Sequence, residues 1–211
     1  MSTAFDEKSA DMDPENKLLW RMNRRRLEAE AIRDAIIAVG EGLDSTMGGS
    51  MLTFKEREYV TSTKNRDTTD YDTNRRSVYL PIIRSSLYDV FQVFDFGDPS
   101  VLNGDRQSTV VAPQALFMMN GSLVFKETRR MAASLLIQSE IDDKSRVQQA
   151  YMRAFGRLPN ANETDRALAF VERLEKTALG NGQLSAEECR LRAWQSFCHT
   201  LVASNEFVYL D

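Results

Sequence analysis

Apolar residues recur at helical spacing over most of this chain. Leu19, Met22, Ala29, Ile32, Ile36 and Val39 return at intervals of three, four or seven. One apolar face results, which predicts a helix from Pro14 to about Val39. Asp13 is placed to cap it, Pro14 suits the first helical position, and Glu15 complements the dipole. Gly40 and Gly42 end it. The last third is patterned most regularly. Val147, Ala150, Tyr151, Ala154 and Phe155 form the stripe of a helix capped at Asp143 and stopped by Gly156 and Pro159. Asn160-Ala-Asn-Glu163 has the form of a capping box and opens a helix to Leu179. Ser185-Ala-Glu-Glu188 is a second box, before a helix carrying Leu191, Trp194, Phe197, Cys198, Leu201 and Val202. Shorter helices are predicted over 87–94, 114–119 and 122–139. Two stretches break the pattern. Residues 47–76 are polar, with little periodicity, and read as one long loop holding at most a short element over 51–60. Ser77 to Ile83 is a short apolar run in which Pro81 pushes Leu80 toward an extended backbone, so it reads as an isolated strand at best. The prediction is an all-α, irregular multi-helix single domain over 1–211. It has a flexible segment at 1–12, the long polar loop, and at most one short strand or hairpin.

Composition adds bounds rather than a function. The chain has 211 residues, 42% hydrophobic and 27% charged, and is long enough to bury a sizeable core. With 27 basic and 31 acidic side chains the net charge is −4, which gives no support to nucleic-acid binding. No apolar run approaches the length of a membrane span, and the opening residues carry acids without an apolar core, unlike a signal peptide. Cys189 and Cys198 lie nine residues apart on one predicted helix, on opposite faces, and cannot pair with each other.

Several blocks then carry a resemblance. Leu18-Leu-Trp-Arg-Met-Asn-Arg-Arg-Arg-Leu-Glu-Ala-Glu-Ala-Ile-Arg-Asp34 is the first. Arg76–Arg84, Phe94–Phe96, Val111–Asn120, Ala154–Pro159 and the ending Ala203–Asp211 follow it in order. Together they resemble the C-terminal portion of the planctomycete PSD-one domain family, domain of unknown function 1553. The resemblance implies a module of large exported proteins, often joined to a cytochrome c-like unit and encoded beside polysaccharide-degradation genes. It supplies no catalytic residues. An exported or periplasmic setting is implied by the resemblance alone, and the sequence leaves a cytoplasmic one open. No Cys-x-x-Cys-His run is present, so neither haem nor any other cofactor is expected of this chain.

The candidate chemistry is sparse. Arg21, Arg24, Arg25 and Arg26 form the densest basic cluster and are candidates for gripping sulfate, phosphate or an acidic sugar. The bland alternatives are ion pairs along a helix, such as Arg24 with Glu28, or pairing with buried carboxylates elsewhere. Trp20, Asp34, Trp194, Asn205, Glu206 and Phe207 are expected to be structural anchors. Asn205 falls about 20° from Trp194 on the helical wheel, where it would dock the C-terminus. Asp95-Phe96-Gly97 spells a kinase tripeptide without the rest of that machinery and reads as a turn. His199 is the only histidine and reads as structural, so no metal site is expected. Asp67, Asp70 and Asp72 lack the glycine and closing glutamate of a calcium loop. The expected role is non-catalytic scaffolding or protein interaction with other domains of the same protein or assembly. The alternative is binding a sulfated or other anionic carbohydrate, completed by an upstream domain.

Overall fold

In the computed structural model, residues 5–49, 51, 71–82, 87–99, 101–102, 104, 106–180 and 184–210 are described. Their architecture is all-α. The helices are α1 (Glu7–Met12), α2 (Ala29–Val39), α3 (Asp89–Val93), α4 (Ala112–Asn120), α5 (Ser122–Ile137), α6 (Asp143–Phe155), α7 (Ala161–Gly180), α8 (Ala186–Val202) and α9 (Asn205–Val208). One two-stranded antiparallel ribbon joins β1 (Arg25–Arg26) to β2 (Tyr209–Leu210), in the register Arg25 to Leu210 and Arg26 to Tyr209. No described helix is long and apolar enough to cross a membrane.

α8 is the central pillar, with α5 and α7 as its largest contacts. It is therefore buried on more than one side. Cys189 and Cys198 both lie in the interior as free thiols although they point in opposite directions. Trp194 is fully buried and meets Phe197 edge to face at 5.8 Å. α2 packs its Ile32 and Ile36 against α5, and α3 adds Val90 and Phe91. Three of the predicted helix starts are locally capped. Asn160 Oδ1 accepts from Glu163 N at 2.9 Å while Glu163 Oε2 accepts from Asn160 N at 2.7 Å, a reciprocal box. Ser185 accepts from Glu188 N at 3.2 Å. The cap of α6 is Asp142, which accepts from Ser145 N at 2.8 Å, so Asp143 is the first helical residue.

The long N-terminal helix does not form. Asp13 is buried, but its carboxylate accepts from Lys17 N at 2.9 Å and Leu18 N at 2.7 Å, closing a turn in place of a helix. Asn16 and Leu19 take positive φ, 54° and 55°, which no α-helix contains. The chain then runs extended through Arg25 and Arg26, and helix begins only at Ala29. Asp13, Asn16 and Asn23 compete for backbone and for each other, the behaviour that keeps short polar side chains out of helix interiors. No strand forms over the described residues 77–82 of the short apolar run. Ser77–Tyr79 is a single 3-10 turn, and Leu80 before Pro81 is extended. Most of the 47–76 loop, including Asp67 and Asp70, lies outside the described residues.

Candidate interaction surface around Arg26

The four clustered arginines separate, because an extended chain sends successive side chains to opposite faces. Arg21 stacks at the N-terminal segment, its Cζ 5.0 Å from the Trp20 ring and 5.6 Å from Phe5. Trp20 is half-buried there and donates its Nε1–H to Asp13 O at 3.0 Å, an anchor of that segment rather than of the main core. Arg24 is exposed. Arg25 is exposed and pairs with Glu28 at 3.3 Å. Arg26 turns inward, with only 4% of its side chain accessible.

Arg26 is a hub. It donates to Thr109 O at 2.6 Å, Phe94 O at 3.2 Å and Asp95 Oδ2 at 2.8 Å. Asp95 is the turn aspartate of the kinase-like tripeptide, and it sits at φ 57°. It also accepts from Thr109 N and Thr109 Oγ1, both at 2.8 Å. Burial works to raise the Asp95 carboxyl, but the Thr109 amide, the Arg26 guanidinium and the Thr109 hydroxyl outweigh it and hold the group below its ordinary value. Gln114 is buried in the first turn of α4 and donates to Val93 O at 3.1 Å. β1, the end of α3 and the start of α4 are thus tied at one point.

Three cavities share Arg26. The first, about 580 Å³, has a floor of Leu27, Leu80, Phe96 and Leu210 and a rim of Arg25, Glu28, Glu30, Asp34 and Arg76. The second, about 640 Å³, lies between β1 and Arg106. A small third, about 100 Å³, runs from Val110 and Val111 of the α4 entry to Ser204 and Val208. The rim charges are mostly satisfied. Arg106 bridges Glu28 at 3.0 Å and Glu30 at 2.8 Å. Asp34 accepts from Ser77 N at 2.8 Å and Ser77 Oγ at 2.7 Å, beside fully buried Arg33, which donates to Thr73 O and to Arg75 O. Asp34 therefore anchors the far end of the polar loop to α2. Arg76 is exposed, with no carboxylate partner among the described residues.

The remaining anchors divide. Glu206 and Phe207 hold the C-terminus: Glu206 pairs with Arg157, and Phe207 is buried. Asn205 does not dock. α8 ends at Val202, the chain breaks at Ser204, and Asn205 begins α9 exposed, so the wheel angle no longer applies. His199 Nε2 lies 2.9 Å from Met118 O and its ring stands on Phe125, a structural role. Sequence spacing does not link Arg26 to Asp95 or Thr109, or Glu28 and Glu30 to Arg106, because these partners lie 69 to 83 residues apart. The local signal in the sequence is the Asp95-Phe96-Gly97 turn, whose aspartate the structure places at φ 57°. No group of His, Cys, Asp or Glu suited to a metal ion occurs among the described residues.

No curated protein and no solved structure matches the chain. A family model, described as PSD1, protein of unknown function (DUF1553), matches residues 1–171. That match covers the hub, α4 and most of the helical body, and the chain belongs to the PSD1 (DUF1553) family.

Proposed function

We propose that the chain is a non-catalytic interaction module that docks a protein partner, another part of the same protein or assembly, through the outer face of α4. One observation carries this. From Gln107 to Phe125 the chain has no charged side chain, although 27% of all residues are charged. Much of this stretch lies at the surface, although Met118 and Val124 enter the core. α4 buries only Gln114 and Met118, while Val110 is 80% exposed, Leu116 56% and Met119 57%. Apolar surface of this kind gains about 25 cal/mol per Å² when a partner covers it, and contiguous patches of it mark interaction sites. The Arg26 hub fixes its orientation, so the face is presented preformed. The partner's matching surface is apolar and uncharged.

The test is a quantitative pull-down from the native host with tagged chain and with a Leu116→Glu/Met119→Glu double variant of equal helicity. A polypeptide retained by the first and lost by the second is expected. Retention that the double variant leaves unchanged refutes α4 as the docking face. Binding of a sulfated polysaccharide is a second reading, favoured by the exposed, carboxylate-free Arg76 beside Arg25. Heparin binding that falls with salt and with Arg25→Ala/Arg76→Ala would support it, and salt-independent or absent binding would reject it.

A further inference from the structure

A second place in the fold stands apart from the hub. A cleft of about 650 Å³ opens to solvent between α6, α7 and α8, lined by Tyr151, Glu163, Arg166, Phe170, Arg173 and Thr200 among others. That volume suits a small molecule. Many of the other arginines are engaged: Arg25, Arg106, Arg129, Arg146, Arg153, Arg157, Arg190 and Arg192 all pair with carboxylates. Arg166 and Arg173 pair with none among the described residues, and both line the same cavity. They stand seven residues apart on one face of α7, about 10.5 Å along the axis. Phe170 lies between them, its ring 5.8 Å from the Arg173 guanidinium. The opposite wall provides an independent sign. Tyr151 lines the cavity with its ring buried against Phe155 and Phe197, and its hydroxyl makes no hydrogen bond among the described residues. Glu163 does not cancel the arginines. Its carboxylate is gripped by Arg157 at 2.8 and 2.9 Å and by Asn160 N. Thr200 has its hydroxyl committed to Phe197 O.

We propose that this cavity binds an oxyanion carried on a ring, such as the sulfate, phosphate or carboxylate substituent of an aryl group or a sugar. The guanidinium forks of Arg166 and Arg173 match a multi-oxygen anion. Phe170 and the Arg173 plane supply a face on which a ring stacks. The Tyr151 hydroxyl donates a further hydrogen bond from a fixed position. The phenol stays protonated, since burial pushes it above its ordinary range.

The experiment is titration calorimetry of the whole chain with an aryl sulfate, a sugar sulfate and inorganic sulfate. Both ring sulfates should bind more tightly than inorganic sulfate, and the tighter of the two identifies the ring. Arg166→Ala and Arg173→Ala, at exposed positions that leave the core intact, should each weaken binding about tenfold. Tyr151→Phe keeps the buried ring, removes only the hydroxyl, and should weaken it several-fold. Arg192→Ala, an exposed position of α8 outside the cavity, should leave affinity unchanged. Three results overturn the proposal: no binding of any probe at about 10 mM, inorganic sulfate bound as tightly as both ring sulfates, or affinity indifferent to Arg166→Ala and Arg173→Ala.

Discussion

Replacing Arg26 by alanine tests the hub on which the candidate surface rests. The side chain is 4% accessible and gives up hydrogen bonds to Thr109 O, Phe94 O and Asp95. Removing one member of a buried ion pair typically costs about 3–5 kcal/mol. Here Asp95 keeps its Thr109 donors and one-fifth of its side-chain exposure, so the lower end applies. The expected loss is about 3 kcal/mol, or a melting point lower by about 6–12 °C for a chain of this size. Urea unfolding followed by far-UV circular dichroism measures it. Arg26→Lys should recover little, because an ammonium cannot reach three acceptors in a fork. A double-mutant cycle with Asp95→Asn, which tolerates the same positive φ, should show coupling of about 1 kcal/mol or more. Acid dependence adds a sign. The Asp95 carboxyl is held below its ordinary value, so its contribution is present above about pH 4 and lost as pH falls through the folded value. Arg26→Ala should flatten that acid limb. A loss below about 1 kcal/mol, or a cycle with no coupling, would refute the hub.

Other expectations concern the body of the fold. Gly40→Ala would place a Cβ 3.1 Å from Glu127 O and 3.2 Å from Glu127 Cβ, against a carboxyl that burial keeps above its ordinary range. A cost of about 1–3 kcal/mol is expected in denaturant unfolding, and an unchanged midpoint would mean that α2 and α5 approach less closely. The Glu163 carboxyl is held down at about 2, first by Arg157. Its contribution is full above the unfolded value of about 4.3 and disappears as pH falls toward 2, so Glu163→Gln should lower stability at neutral pH and remove part of the acid transition. Deleting residues 207–211 takes away buried Phe207 and Val208 together with the partner of β1. A loss of about 4 kcal/mol is expected from burial alone, and an unaltered melting curve would exclude docking of the C-terminus.

The helices of the last third were legible in sequence because their signals are local. A reciprocal box at Asn160 and Glu163, a cap at Ser185, and Gly156 at φ 69° all act within one turn of the residues that encode them. The N-terminal stretch had equally good helical spacing and a plausible cap, yet formed a turn. Asp13 and Asn16 offered the backbone an alternative that periodicity does not weigh.

By itself, then, the sequence determined an all-α fold, the placement of α5 to α8, and a core built on Trp194 and Phe197. Those follow from caps and apolar spacing, which operate over a few residues. Only the tertiary structure decided what each arginine does. Arg26 meets Asp95 from 69 residues away, and Arg166 and Arg173 gain a cavity only when Tyr151 of α6 and Thr200 of α8 close around them. A charged side chain's role depends on which partners surround it and how much water remains, and neither quantity is set until distant segments pack.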